Sequence, residues 1–475
     1  MNTLLIMADQ FRGDWMSCAG TDFVNTPNID KIADRGVRFC SAACNGPLCA
    51  PSRSSIAGGV YPHRLGVMSN NENFPIDNET YFRILRKHGY RVSLIGKSDL
   101  HKPDRFNGRS GSLPLMYHLG FTDLTETEGK MNACFRMPGP PASGIGFEDF
   151  VHDADVPDKA LAGPYQKYLM DKGLLLDFAN DFNDRLFKKP VWYSGVSVLP
   201  AEDYQDSFIG KKACEFLENV NDDSPWHLFV SFVGPHDPWD APAEYFKRFK
   251  NKDFPVPEPV PADSNAAKNK PAWIAKKTNT ASAGMSSGDL VNIKRHYAAM
   301  ITLIDDWIGK MLAILDSKGL REETAVIFTS DHGEMLGDHG QFTKNCMYEA
   351  ALRVPLIISL PGLQGGRTEH GMAELVDLYP TILDIAGINY DRAGLDGQSL
   401  LPVVKENKKI DRELQFSELA NTRMIFDGKY KFIENYNDLN ELYDLENDPG
   451  EQENLLPQNP FIGKTLLRKM REICK

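Results

Sequence analysis

Four short apolar runs each end abruptly in polar residues. Thr3-Leu4-Leu5-Ile6-Met7-Ala8 stops at Asp9-Gln10, and Arg91-Val92-Ser93-Leu94-Ile95 stops at Gly96-Lys97. His227 to Val233 stops at Gly234-Pro235-His236, and Ala325 to Thr329 stops at Ser330-Asp331-His332. Runs this short, apolar throughout rather than alternating, suit strands buried on both faces of a parallel sheet. Helical patterns lie between them, over Asn28 to Gly36, Thr80 to Gly89 and Leu290 to Gly319. In the last, Tyr297, Ile301, Ile304, Ile308, Met311 and Leu315 recur at helical spacing. Strand and helix in alternation predict an α/β fold with a large, mostly parallel central sheet flanked by helices. Ligands of such sheets bind beyond the carboxyl ends of the strands.

Beyond Gly397-Gln398-Ser399-Leu400-Leu401-Pro402 the grammar changes. Met424 to Phe426, the turn Asp427-Gly428 and Lys429 to Ile433 read as a β-hairpin, with a terminal helix from about Gly463. The expected organisation is therefore a catalytic α/β domain over 1–402 and a small α+β subdomain with a short antiparallel sheet over 403–475. Phe254 to Gly288, rich in Pro, Ala, Lys, Asn and Ser, reads as a long surface excursion rather than a linker.

Composition excludes several classes. With 475 residues, 42% hydrophobic and 25% charged, the chain is globular and large enough for more than one domain. A net charge of -12 without a long Lys/Arg block speaks against nucleic acid or an anionic membrane as partner. An anionic substrate would need positive charge concentrated at its site. The eight cysteines are scattered, without zinc-type C-x-x-C spacing or a disulfide framework. No segment approaches the about 20 apolar residues of a membrane span. The N-terminus lacks a basic region and a cleavage site, which leaves the compartment open: periplasmic or secreted if a signal peptide was trimmed, cytoplasmic otherwise.

The chemistry centres on Pro47-Leu48-Cys49-Ala50-Pro51-Ser52-Arg53-Ser54-Ser55-Ile56-Ala57-Gly58-Gly59. This segment resembles the signature of the type I sulfatase family, in the alkaline-phosphatase superfamily, whose Cys-x-Pro-Ser-Arg cysteine is oxidised to formylglycine by a maturating enzyme. The departure is downstream, where Ile56-Ala57-Gly58-Gly59 replaces the family's usual Leu-Thr-Gly-Arg. The resemblance extends through Ser330 to Gly340, Lys344, Tyr348-Glu349 and Arg353 to Leu356, and through Leu442 to Glu451. It implies a hydrated aldehyde at Cys49 as nucleophile, with Arg53 holding the diol. It further implies Lys97 and Lys344 on sulfate oxygens, and His236 on the ester, where an imidazole suits protonation of the leaving oxygen. Many relatives carry Gly-Lys-x-His; here the histidine is displaced to His101, which is expected at the diol by a different loop path.

A cation is expected at Asp9, Gln10, Cys49, Asp331 and His332. The Gln10 and His332 variants resemble choline sulfatases, some glycan sulfatases and phosphonate monoester hydrolases. Hard oxygen ligands favour Ca2+, and an imidazole makes Mn2+ the alternative. The implied reaction is hydrolysis of a sulfate monoester, with a sulfated mono- or oligosaccharide as the expected partner. His63, Arg64, Arg105, Arg109 and Trp239 are candidates for contacting it. Two other readings stand beside this one: a phosphonate monoester or phosphodiester hydrolase with the same architecture, and a non-catalytic anion-binding protein whose Cys49 stays a thiol.

Overall fold

The computed structural model describes residues 1–100, 118–126, 164–190, 192–221, 224–259, 270–274, 276 and 284–475. Among them, eight strands form the large sheet. These are β1 (Asn2–Asp9), β2 (Gly36–Ala43), β3 (Arg91–Gly96), β4 (Asp123–Glu126), β5 (Trp226–Pro235), β6 (Thr324–Ser330), β7 (Leu356–Ser359) and β8 (Arg367–Glu374). Their order is β4-β3-β5-β1-β6-β7-β2-β8. Every pairing is parallel except those of β7, which runs antiparallel to β6 and to β2. The four apolar runs are thus β3, β5, β1 and β6, adjacent at the centre of the sheet.

Their lack of alternation follows from helices covering both faces. Leu4, Ile6 and Ala8 of β1 enter one core with Ile293, Tyr297, Ile301 and Ile304. Leu5 and Met7 enter the other with Ala50, Ile56 and Ile382. The long helix Ser287–Ser317 opens on a capping box between Ser286 and Asp289 and buries the whole predicted stripe from Tyr297 to Leu315. The helix predicted over Asn28 to Gly36 stops earlier, at Pro27–Asp34, because Gly36 already opens β2. A Cβ on Gly36 would sit 2.5 Å from the Ile358 carbonyl oxygen, so β7 approaches there only because the residue is glycine.

Beyond the large sheet, β9 (Gln415–Leu419), β10 (Thr422–Phe426), β11 (Tyr430–Asn435) and β12 (Glu441–Asp444) form an antiparallel sheet in the order β12-β11-β10-β9. The predicted hairpin is β10–β11, turning at Gly428 with φ 94°. The terminal helix Pro460–Ile473 packs Leu466 and Met470 against Phe416, Ile425 and Phe432. The two sheets are stitched by buried polar contacts. Asn45 Nδ2 donates to the Phe416 carbonyl (3.0 Å) and to Glu374 Oε2 (3.1 Å), and Phe416 N donates to Glu374 Oε1 (2.7 Å). Most of the excursion over 254–288 lies outside the described residues. Its Lys270 is buried and donates to Tyr443 Oη at 2.6 Å, which ties the excursion to the second sheet. No helix among the described residues is long and apolar enough to cross a membrane.

Candidate active site

Because β3, β5, β1 and β6 are parallel neighbours, their carboxyl ends set Lys97, His236, Asp9-Gln10 and Asp331-His332 side by side, with about 4.8 Å between adjacent strands. At the end of β3, Gly96 takes φ 110°, and a Cβ there would meet the Ser231 carbonyl oxygen at 1.9 Å. Only glycine lets the chain turn this close to β5 and deliver Lys97. The helix Cys49–Gly58 enters from the other side and ends at Gly59 with φ 71°. Cys49 opens it, and Arg53, one turn later, shares its face. The helix N-terminus brings partial positive charge toward the strand ends. Ala50 N donates to Asn70 Oδ1 (2.9 Å) and Ser52 Oγ to the Asp331 carbonyl (2.6 Å), fixing the first turn against the sheet.

Cys49 Sγ lies 3.3 Å from His332 Nε2 and 3.8 Å from Asp9 Oδ1. Arg53 Nε donates to Asp331 Oδ2 at 2.7 Å, its Nη2 lies 3.6 Å from Asp9 Oδ2, and its Nη1 donates to the Lys97 carbonyl and to Ser231 Oγ, both at 2.8 Å. Lys97 Nζ donates to Asp9 Oδ2 and lies 3.1 Å from Asp99 Oδ2. Donor atoms of Asp9, Cys49, Asp331 and His332 all fall within 4.8 Å of one another. Two ligands on opposite sides of a cation with bonds of about 2.1 to 2.5 Å are separated by nearly that distance. Two carboxylates and an imidazole, all buried, therefore fit a divalent cation.

The charges set one another's protonation. Burial raises the Asp9 pKa, but Lys97, His236, Arg53 and Lys344 outweigh it and hold the carboxyl well below its ordinary range. Burial and Asp9 likewise raise the Cys49 thiol, and Lys344, Lys97 and His332 bring it well below the usual thiol value. Burial lowers Lys97, while Asp9, Asp99 and Cys49 raise it further, to well above its normal value. In a chain of net charge -12, Arg53, Lys97 and Lys344 supply the local positive charge an anionic ester requires.

Gln10 sits on the rim of this cluster with φ 68°. Its backbone N donates to Asp331 Oδ1 (3.1 Å), and its carbonyl accepts from Tyr297 Oη. Its side-chain Oε1 accepts from Lys344 Nζ, while Nε2 donates to Glu334 and, at 3.3 Å, to Asp237. Lys344 Nζ also contacts His236 Nε2, and His236 Nδ1 lies 3.2 Å from Asp237 Oδ1. Burial lowers the His236 pKa; Asp237, joined by Asp9 and Cys49, reverses this and raises it above the ordinary imidazole value.

The family model described as Sulfatase matches residues 1–388. The chain belongs to the sulfatase family. A second family model, described as the C-terminal part of N-sulphoglucosamine sulphohydrolase, matches residues 337–474 of this sulfatase. It is 28% identical to a choline-sulfatase of Rhizobium meliloti (strain 1021), over 99% of this chain and 86% of the relative. It is 30% identical to an arylsulfatase of Clostridium perfringens, over 97% of this chain and 91% of the relative. The fold is shared with a phosphonate monoester hydrolase of Agrobacterium radiobacter at a TM-score of 0.79 and 23% identity, covering 99% of this chain and 95% of that one. The protein is therefore an enzyme that hydrolyses sulfuric esters, within the alkaline-phosphatase superfamily.

Of the residues expected in the site, the sulfatase fold brings together Asp9, Gln10, Cys49, Arg53, Lys97, His236, Asp331, His332 and Lys344. His101, Arg105 and Arg109 lie outside the described residues. His63 is paired with the buried Glu418, and Arg64 with Asp396. Trp239, expected to meet substrate, is 1% exposed and packs edge-on against Phe342. Sequence reasoning missed Ser231, Asp99, Asp237 and Glu334. Asp99 and Asp237 stand within two residues of Lys97 and His236, and an acid beside a candidate base is the signal that could have found them.

Proposed function

We propose that this sulfatase cleaves the sulfate monoester of a sulfated mono- or oligosaccharide to an alcohol and inorganic sulfate, using formylglycine made from Cys49. The observation that carries the reading is the position of Cys49. It lies 3.3 Å from His332 and 3.8 Å from Asp9, at the mouth of four adjacent parallel strands. A divalent cation held by Asp9, Gln10, residue 49, Asp331 and His332, Ca2+ first and Mn2+ as the alternative, would polarise a sulfate oxygen and acidify the nucleophilic hydroxyl.

The chain's own residues then divide the work. Lys97 and Lys344 neutralise sulfate oxygens, and Arg53 orients the hydrated side chain at position 49. One hydroxyl of that diol attacks sulfur as the S–O bond to the alcohol breaks, and His236 supplies the proton the leaving oxygen needs. Loss of the proton from the second hydroxyl, with His101 the proposed partner, re-forms the aldehyde and releases sulfate. The saccharide is supported by the C-terminal likeness to N-sulphoglucosamine sulphohydrolase. The acidic net charge favours a short substrate over a long polyanion. A formylglycine-generating enzyme is the partner this chemistry requires.

Mass spectrometry of the peptide containing Cys49, from a host with the maturating enzyme, should find the aldehyde; an unmodified thiol in active protein would overturn the mechanism. Defined sulfated saccharides, an aryl sulfate and a phenyl phosphonate should then be compared by kcat/KM. Turnover of the aryl sulfate alone would remove the saccharide. The Gln10–His332 pair keeps a phosphonate monoester hydrolase as second reading, and a much higher kcat/KM on the phosphonate would establish it.

A further inference from the structure

The Gln10 amide has both ends assigned. Its nitrogen faces two carboxylates, Glu334 and Asp237, and its oxygen faces the Lys344 ammonium. An amide is otherwise free to present either end, since its oxygen and nitrogen have nearly the same shape. Of the three partners of the Gln10 amide, Glu334 is the one with no exposure to solvent. Its Oε1 accepts backbone hydrogen bonds from Leu336 (3.0 Å) and Thr343, so the carboxylate is held by the turn that leads into Lys344, and its Oε2 is left for Gln10. Asp237, a quarter exposed and shared with His236, is a looser second acceptor.

We infer that Glu334 is a positioning residue that locks the Gln10 amide with its carbonyl oxygen toward the cation site and Lys344, and so makes position 10 a metal ligand. The inference rests on the proposed role of Gln10 in holding a cation. Glutamine can serve a hard cation only through its oxygen, and a flipped amide would aim two N–H donors at both the cation and Lys344. A buried carboxylate costs stability unless it is hydrogen-bonded; here all three donors come from the two segments it joins. Glu334 and Lys344 thereby hold the amide from opposite ends, one at its nitrogen and one at its oxygen.

The test is direct titration of Ca2+ and of Mn2+ into the purified protein by calorimetry, without turnover. Glu334→Gln keeps the shape and one acceptor for the backbone amides, but turns an N–H donor toward Gln10 Nε2. It should weaken cation binding about 10- to 100-fold, the usual effect of disturbing a group that orients a ligand. The exchanged pair, Glu334→Gln with Gln10→Glu, restores one donor facing one acceptor and keeps an oxygen toward Lys344. It should recover affinity to at least the wild-type level. Because a carboxylate at position 10 strengthens cation binding by its charge alone, the reference for the pair is Gln10→Glu: in that background Glu334→Gln should raise affinity, whereas a merely structural role predicts the same loss in both backgrounds. Side-chain 15N NMR of the wild-type protein needs no variant to fold: the Gln10 amide protons, held between two carboxylates, should exchange slowly. Wild-type affinity in Glu334→Gln, failure of the exchanged pair to recover, or rapid exchange of the Gln10 amide would each overturn the inference. Wild-type protein that binds neither cation would instead overturn the metal reading, and this one with it.

Discussion

Cys49 Sγ lies 3.3 Å from His332 Nε2 although 283 positions separate the two in the chain. Cys49 is 2% exposed, with its sulfur against Asp9 at the end of β1 and His332 after β6. In unmodified folded protein, Cys49, Cys44 and Cys346 should therefore resist a thiol reagent that labels the partly exposed Cys18, Cys40, Cys214 and Cys474. Labelling of Cys49 should lag well behind theirs. Peptide mapping after timed labelling checks this, and early labelling of Cys49 would count against its burial. Cys49→Ala should lower kcat/KM by about 10³-fold or more while leaving the fold intact.

Burial is the largest influence on the His236 imidazole and lowers its pKa, but Asp237, Asp9 and a contact with Cys49 together raise it above its ordinary value, Asp237 being the largest contributor to the rise. If protonated His236 serves the leaving oxygen, activity is retained as pH rises until this imidazole loses its proton. Asp237→Asn removes the stabilising carboxylate, so the alkaline limb of kcat/KM should move to lower pH. A pH–rate profile of the two proteins decides; an unmoved limb assigns that limb to another group.

Gly96 and Gly89 both have positive φ, but their surroundings differ. A Cβ on Gly96 would strike the Ser231 carbonyl at 1.9 Å, whereas one on Gly89 meets nothing within 4 Å. Gly89→Ala should cost about 1 kcal/mol through backbone strain alone. Gly96→Ala should cost about 3 kcal/mol or more and also displace Lys97, lowering activity. Denaturation midpoints measured alongside kcat/KM distinguish the two positions.

His227, in the middle of β5, has neither ring nitrogen paired, and burial pushes its pKa down to about 3. The unfolded chain takes up a proton near pH 6.5, and the folded one does so only near 3. Folded stability from this group is thus complete above about pH 6.5 and is lost as pH falls toward 3. His227→Leu removes the buried polar ring and should flatten that decline, with a gain of about 1 to 3 kcal/mol at neutral pH. Urea midpoints from pH 7 down to pH 5 measure it; a variant with the wild-type slope would assign the acid sensitivity elsewhere.

The centre of the sheet was legible because β3, β5, β1 and β6 are buried on both faces, and such burial leaves an unbroken apolar run with a sharp polar end. The flank was not. β8 alternates half-burial and exposure from Arg367 to His370 and is buried only at Ala373 and Glu374, as suits an edge strand, and β2 and β7 are short or mixed. In the site, residues with a fixed chemical identity were legible, and those that act by orienting another were not. Tyr297 illustrates the limit. Its helical spacing marks a core residue, and it is one, yet its hydroxyl also donates to the Gln10 carbonyl. Glu334 stands inside a recognisable run, but its acceptor role depends on which way an amide from β1 is turned.

The stitching between the sheets sets an order in time. Asn45, four residues before Cys49, is held by Glu374 and by the backbone of Phe416, and Arg53 by Asp331. None of these partners exists when the segment around Cys49 leaves the ribosome. At a synthesis rate of about 5 to 20 residues per second, the partner at position 416 follows Cys49 by roughly 20 to 70 s. Until Asp331, His332, Glu374 and finally Phe416 have followed, the nucleophile's segment lacks in turn the contacts that bury it, and an enzyme that must act on Cys49 meets the least hindrance early in that interval.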